Sequence, residues 1–512
     1  MTALKKYHHN KINNNTTVLT VENAEFEDFL TRCEALRLDG YEEIDRRNIA
    51  QNTYVSYRKG DEGVFLNYYP SVQELAVVTE KECRYFAYHN EIGGKKVQPS
   101  ITQIHLVDFG MSYVIRLSDG RFIILDGGRE YLPDARELYD CLKRDSVAPK
   151  PVIAAWIMTH PHSDHYHCYM TFMDHFADEV VIEKYMFTFP EHDDVDHYPT
   201  LIKKDPRFED NSPFTNIPRM LERMHRSGAP IYSPHTGQRY IIGDAVCDII
   251  GSIDDTIHRS QNINATSVII RMELGGQVIL WCADAAFSET RLAEKYGQYL
   301  KSDILQVPHH GFQSGTAEAE IKGYRYIKPS VCLLPVSDYN AYTVFCAFKE
   351  GTKFLMQDMD IDEMITGDTT RTLLLPYTPA PEGKNVLRRN YTAGQNSAGA
   401  RTWIYTGLNT GREEDLVFQF INTTHMPTMV NIELFFEEKD RNVRHIKAQI
   451  PPLSYKSICV VGGDVDGDFM YFNWMSLKER GVPENANFAI RFISDVPIVV
   501  AHKKYSATYY SG

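Results

Sequence analysis

Residues 159–165 read Thr-His-Pro-His-Ser-Asp-His, so His160, His162, Asp164 and His165 put three imidazoles and one carboxylate within six positions. Imidazole nitrogen and carboxylate oxygen are donors that Zn²⁺ takes, and no soft thiolate stands among them. Six residues do not comfortably wrap four donors around one small ion. Two histidines with one orientation and an Asp-His pair with another suit two adjacent ions better. The bland alternative, a solvated polar loop with chance histidines, fits this register poorly. The element in front of the loop is Val152 to Met158, almost wholly apolar, which predicts a strand buried on both faces. A loop at the C-terminal end of such a strand is where open α/β sheets carry their sites.

The elements around this loop form a unit over 98–375. Strands are expected at 104–109, 112–117 and 122–126, the last two joined by the turn Ser118-Asp119-Gly120. Asp134 with Glu137 three residues on has the form of a capping box, predicting a helix that starts there. Further strands are expected at 246–251, 267–274, 277–282, 303–307 and 330–334, with helices at 288–300 and 316–326. Strands interleaved with helices predict a layered α/β fold.

Three more short motifs follow strands in this unit: Leu125-Asp126-Gly127-Gly128, Ala283-Asp284, and Pro308-His309-His310-Gly311. With the HxHxDH loop they make the chain resemble the metallo-β-lactamase fold superfamily of metal-dependent hydrolases. That resemblance implies an αββα sandwich. It also implies that His160 and His162 hold a first ion, Asp164 and His165 a second, and that Asp284 bridges both. His309 would complete the second site, with His310 as its substitute or as a donor to substrate. Asp126 would support the loop by hydrogen bonding. Asn264, Ser267 and the His-His-Gly turn narrow the resemblance to the competence-type and phosphorylcholine-esterase-like branch. Two departures stand out. His167 and Cys168 replace the two glycines usual after HxHxDH, and the family's middle His has no counterpart. Asn264 occupies roughly its place, and His258 is the nearest histidine.

Two divalent ions, Zn²⁺ with Mn²⁺ or Fe as alternatives, would supply a hydroxide at neutral pH by lowering the pKa of a water from 15.7 to about 7. The expected reaction is hydrolysis of a phosphate ester or phosphodiester. Asp164 would accept or relay the proton, and His310 would help stabilise charge on the substrate oxygen. The alternatives are hydrolysis of a lactone, amide or thioester, and a metal-dependent sensor without catalysis. Other histidines read more plainly. His167 and His175 share a helix face and suit packing. His192, Asp193, Asp194, Asp196 and His197 suit a solvated acidic loop. Tyr185, Phe187 and Phe189 alternate as strand residues do.

The remaining organisation follows from composition. Residues 1–16 are expected to fray. Residues 17–97 read as a small α+β unit, with Phe26, Phe29, Leu30, Cys33 and Leu36 at helical spacing and strands at 52–58, 63–69 and 74–80. Residues 376–400, with Pro376, Pro379, Pro381, Gly383, Gly394 and Gly399, have linker composition. Over 401–512, short alternating runs predict a β-sandwich, including 487–493 and 497–503 as separate strands. Asn422-Thr423, Val430 to Glu437 and Ser494 to His502 resemble the sensory rhodopsin transducer family. That resemblance implies an oligomerisation or recognition module, hence a homo-oligomer.

With 512 residues, 43% of them hydrophobic, the chain is long enough for several packed cores. Fifty-four Lys+Arg against 68 Asp+Glu give a formal charge of −14, which argues against nucleic acid and anionic membranes as partners. It does not forbid a local phosphate site, so a small-molecule or phosphoester substrate is expected. Nine scattered cysteines without a CxxC pattern predict reduced thiols and a cytoplasmic protein.

Overall fold

The computed structural model describes residues 4–89, 94–191, 197–198, 213–313, 315–337, 341, 349–359, 361–379, 399–409, 414–436, 444–461 and 487–506. The chain divides into two compact units. One is Met1–Asp338 together with Lys349–Lys384, and the other takes in Asn385–Gly512.

The centre of the first unit is a pair of sheets. One runs in the order Ile231–Tyr232, Tyr185–Met186, Val152–Ile157, Phe122–Asp126, Ser112–Arg116, Ser100–Gln103 and Arg371–Leu374. The other runs Arg239–Ile242, Ala245–Gly251, Ile269–Leu274, Gln277–Trp281, Ile304–Gln306, Val331–Leu334 and Glu363–Thr366. Strand Phe122–Asp126 shows why they stack. Ile123 and Leu125 pack with Ile249, Ile270, Ile279 and Val331 in a core between the sheets. Phe122 and Ile124 point the other way, onto Leu138 and Leu142 of helix Leu132–Asp145 and onto Tyr169 and Met170 of helix Ser163–Phe176. Successive side chains leave opposite faces of a strand, so a strand without polar alternation must be covered on both sides. Helices Phe287–Thr290 and Ala317–Ile327 follow strands of the second sheet. The result is the αββα sandwich, with further β-rich parts before and after it in the sequence.

The expected frayed end is corrected. Lys6–Lys11 is a strand, paired antiparallel with Thr16–Glu22 at the edge of a six-stranded sheet that continues through Glu74–Glu80, Glu62–Tyr69, Asn52–Lys59 and Glu42–Ile49. Polar side chains there mark a half-exposed edge, where backbone pairing does the ordering. This sheet does not form a compact unit of its own. Val18, Phe65 and Val78 belong to the same core as Ile124 and Trp156. Buried polar bonds add to that: Asn67 Nδ2 donates to Thr236 O at 3.0 Å and Tyr69 OH to Asp255 at 2.8 Å, with Lys295 Nζ 2.7 Å from the same carboxylate.

The capping box at Asp134 is also corrected. The helix begins at Leu132 behind Tyr131, with Asp134 already inside its first turn. Its Oδ1 accepts from Val107 N–H at 2.8 Å, and Glu137 receives Thr370 Oγ1–H. Both carboxylates therefore tie loops to the helix rather than cap it. Asp134 is 2% exposed, and burial pushes its carboxyl up to about 7. The folded chain thus keeps a proton that the unfolded chain releases near pH ~4. Stability should fall as pH rises between those values, because the folded state binds the extra proton there. Asp134→Asn keeps the acceptor without the charge. It should flatten this slope and raise stability at pH 8 by roughly 2 kcal/mol, read from urea unfolding at pH 5 and pH 8. An unchanged slope would show that Asp134 is not the titrating group.

In the second unit, Asn487–Ser506 is one 20-residue strand where two were expected. It pairs with Ala400–Asn409, Thr428–Phe436 and Glu414–Asn422. Phe418, Phe420, Val430, Ile432, Leu434, Ile490 and Phe492 form its core. A strand this long can serve two pairing partners in succession along one edge, so Ser494 and Asp495 do not break it. Most of the 376–400 stretch, and His192, Asp193, Asp194 and Asp196, lie outside the described residues. Among the described residues no helix is long and apolar enough to cross a membrane. Seven described cysteines are free thiols.

Candidate metal centre

All four motif loops leave the C-terminal ends of core strands. Asp126 ends Phe122–Asp126, and the HxHxDH loop follows Val152–Ile157, its parallel neighbour. Ala283-Asp284 follows Gln277–Trp281, and His309-His310 follows Ile304–Gln306, again a parallel pair. Backbone bonds stitch the loops together. Gly128 N–H donates to His165 O, Met111 N–H to Asp164 O, Val268 N–H to Thr159 O and His309 N–H to Ala283 O, at 2.9–3.1 Å. A Cβ at Gly110 would stand 2.8 Å from the Asp164 carbonyl, so only glycine lets the loop before strand Ser112–Arg116 approach the HxHxDH loop this closely.

Asp126 orients the histidines. Its carboxylate accepts from Thr159 N–H and Thr159 Oγ1–H, both at 2.8 Å, and its Oδ2 lies 2.7 Å from His165 Nδ1. That contact puts the His165 proton on Nδ1 and leaves the Nε2 lone pair facing the centre. Thr159 Oγ1 has given its hydrogen to Asp126, so it accepts from His160 Nδ1–H at 3.2 Å, which frees His160 Nε2 in the same way.

Two donor groups result. Asp164, His165, Asp284 and His310 form one, all buried, and His160, His162 and Asp284 form the other. In the first, His165 Nε2 lies 3.2 Å from Asp284 Oδ2 and 3.8 Å from Asp164 Oδ2. His310 Nε2 lies 3.2 Å from Asp164 Oδ2, 3.4 Å from Asp284 Oδ1 and 3.2 Å from His165 Nε2. Ligands about 2.0–2.1 Å from a tetrahedral ion stand about 3.4 Å from one another, so these atoms are spaced as the corners around one ion. In the second group, His160 Nε2 lies 3.2 Å from His162 Nδ1 and 3.8 Å from Asp284 Oδ2. The donor set fits divalent cations, and Asp284 belongs to both groups.

The electrostatics point the same way. Burial alone would raise the Asp164 and Asp284 carboxyls, but His165 and His310 beside them hold both well below the usual range. Burial lowers His165 and His310, yet Asp284 and its neighbouring carboxylates outweigh it and raise both, His310 to about 9. Two buried carboxylates thus require compensating positive charge, which divalent ions supply more completely than protons. His160 and His162, by contrast, are lowered by burial, His162 to about 4, and present neutral nitrogens.

Of the expected residues, His160, His162, Asp164, His165, Asp284 and His310 come together. His309 does not join either group. Its Nε2 stands 3.9 Å from Asp284 Oδ2 and 3.0 Å from Asn264 Nδ2. Both adjacent histidines have left-handed backbones, φ 49° and 52°, so the chain turns sharply between them and their rings diverge, with centroids 6.4 Å apart. His258 lies away from the centre, beside Arg259 and His8. His167 is buried edge-on to Tyr166, and His175 bonds back to Thr171 O. Tyr185 and Phe189 are core residues. Sequence reasoning missed Gln306. Its carboxamide accepts from Cys282 and Ala283 N–H and donates to Ala283 O and Val307 O, pinning the Asp284 turn to the His309-His310 turn. A lone glutamine at a strand end carries no sequence signal.

Comparison with known proteins agrees on the domain. Residues 106–322 match the model of the metallo-beta-lactamase superfamily. No curated protein matches the chain. Among solved structures, the crystal structure of Thermotoga maritima 1070 is similar over 21% of this chain and 93% of its own, at 16% identity and a TM-score of 0.16. The Anabaena sensory rhodopsin transducer is similar over 21% of this chain and 91% of its own, at 19% identity and a TM-score of 0.16. Both likenesses are too slight to bear on partners or assembly.

Proposed function

We propose that the metallo-beta-lactamase superfamily domain at 106–322 is the catalytic part of a binuclear hydrolase, acting on a phosphate ester or phosphodiester. One observation carries this reading: two donor groups, three and four residues strong, share the single carboxylate of Asp284. His160 and His162 would hold one ion, Asp164, His165 and His310 the other, with Asp284 between them. Bound there, divalent ions supply an ionised water at neutral pH and positive charge where negative charge builds on the substrate. The chain's own part is orientation and proton handling. Asp126 fixes the His165 ring, Thr159 fixes His160, and Gln306 holds the Asp284 turn against the His309-His310 turn. Asp164 Oδ2 faces His165 and His310, and its other carboxylate oxygen would take a proton from the attacking water. The phosphoester class rests on the resemblance to the competence-type and phosphorylcholine-esterase-like branch.

Purified protein should carry up to two transition-metal ions per chain by mass spectrometry of metals, and should hydrolyse a chromogenic phosphodiester faster than a matched lactone or thioester. His162→Ala should lower the metal content and abolish turnover. Full metal content in that variant, or preference for the lactone, would overturn the assignment or the substrate class respectively.

We also propose that the C-terminal sandwich serves assembly into a homo-oligomer. The first compact unit, which contains the superfamily domain and the N-terminal sheet, has cores on both faces of its central sheet, and the sandwich has a separate one. Protein ending at Lys384 should show fewer chains per particle by light scattering than full-length protein, with its metal content retained. Equal numbers in both would make the sandwich a recognition module instead.

A further inference from the structure

Resting on that reading, we infer that Asn264 and His309 bind an oxygen of the substrate and do not hold metal. Asn264 lies in the 3₁₀ turn Ile263–Thr266, after Asn262 whose side chain accepts from its amide. The residue is 7% exposed, and its Nδ2 donates to His309 Nε2 at 3.0 Å. That bond puts the His309 proton on Nδ1. A primary amide has a second N–H and a carbonyl oxygen besides. Among the described residues neither Asn264 Oδ1 nor His309 Nδ1, both buried, has a hydrogen-bond partner. The donors among this unused capacity are His309 Nδ1–H and the second Asn264 N–H, which an oxygen would meet, whereas Asn264 Oδ1 is an acceptor and would take a hydroxyl or water hydrogen. Buried capacity of either kind is costly to leave unmet.

Position says what would meet it. His309 Nε2 stands 3.9 Å from Asp284 Oδ2, the carboxylate common to both donor groups, so the pair flanks the centre without entering either group. The His309 side chain keeps 25% exposure where His310 keeps 1%, so part of the His309 ring faces solvent on this flank, although its Nδ1 is itself buried. The left-handed turn at 309–310 separates the two jobs: His310 faces the carboxylates, and His309 is turned to Asn264. Left-handed non-glycine residues are costly and persist at sites where the surroundings demand them. A neutral amide donor beside a cationic centre suits an anionic or carbonyl oxygen and adds no charge of its own. On a phosphoester this would be a non-bridging oxygen.

The test uses full-length, metal-loaded protein with inorganic phosphate as the binding probe and a chromogenic phosphodiester as substrate. Asn264→Ala should weaken phosphate binding by about tenfold or more in titration calorimetry. It should raise KM more than it lowers kcat and leave the metal content at the wild-type value. Asn264→Asp is isosteric and can still bond His309, so a merely structural role predicts that it is milder than the alanine. Substrate contact predicts that it is worse, because its carboxylate repels the phosphate. His309→Ala should also keep its metal and weaken phosphate binding. Loss of an ion in any of the three variants, unchanged phosphate binding, or an aspartate variant milder than the alanine would overturn the inference. Wild-type protein that takes up no metal would instead overturn the hydrolase reading beneath it.

Discussion

Asp284→Asn protein is expected to fold, to keep at most one divalent ion per chain and to lose about 10³-fold or more in turnover. Asp284 is 2% exposed and reaches both donor groups, with Oδ2 toward His160 and His165 and Oδ1 toward His310. Asparagine keeps the shape and removes the charge. Two divalent cations a few ångströms apart repel each other strongly where the effective dielectric is low, and the shared carboxylate is what offsets that repulsion. The four-residue group keeps three donors after the change, and the other keeps only His160 and His162, so the ion in the smaller group should be lost first. Metal analysis, circular dichroism and turnover of a chromogenic phosphodiester together decide it. A variant with both ions and normal rates would show that Asp284 does not bridge.

Asp126→Ala is expected to be costly in both stability and metal affinity. Asp126 is fully buried, and its carboxylate serves Thr159 N–H, Thr159 Oγ1–H and His165 Nδ1. Deleting it strands three buried polar groups at once, and breaking a buried network of this kind costs about 3–5 kcal/mol. The His165 ring would also lose the contact that selects its tautomer, and such supporting contacts are worth about 10–100-fold in metal affinity. Denaturant unfolding of the metal-free protein gives the first effect, and competition with a chelator gives the second. Unaltered affinity would show that packing alone fixes the His165 ring.

Much of the centre was legible in the sequence because it is local. His160, His162, Asp164 and His165 share one loop, so their spacing alone specifies donors of two orientations, and the apolar run before them specifies a strand covered on both faces. Strands interleaved with helices specify a layered α/β fold, the αββα order came from the resemblance to the metallo-β-lactamase fold, and Phe122–Asp126, covered on both faces, shows it. Three things were decided only by tertiary structure. Which of two adjacent histidines meets the carboxylates depends on backbone dihedrals at 309 and 310, and sequence spacing treats both alike. Gln306 matters only through partners brought near by the fold, and a lone amide side chain has no spacing rule that reveals it; Asn264 stands out in the motif pattern, but its bond to His309 is set by the fold. Lys6–Lys11 orders because a neighbouring strand satisfies its backbone, and Asp134 anchors a loop because Val107 arrives beside it. Side-chain type and period encode what a residue can bond and which face it leaves. The identity of the partner is set by chain segments far away in sequence, through packing and the need to pair every buried polar group.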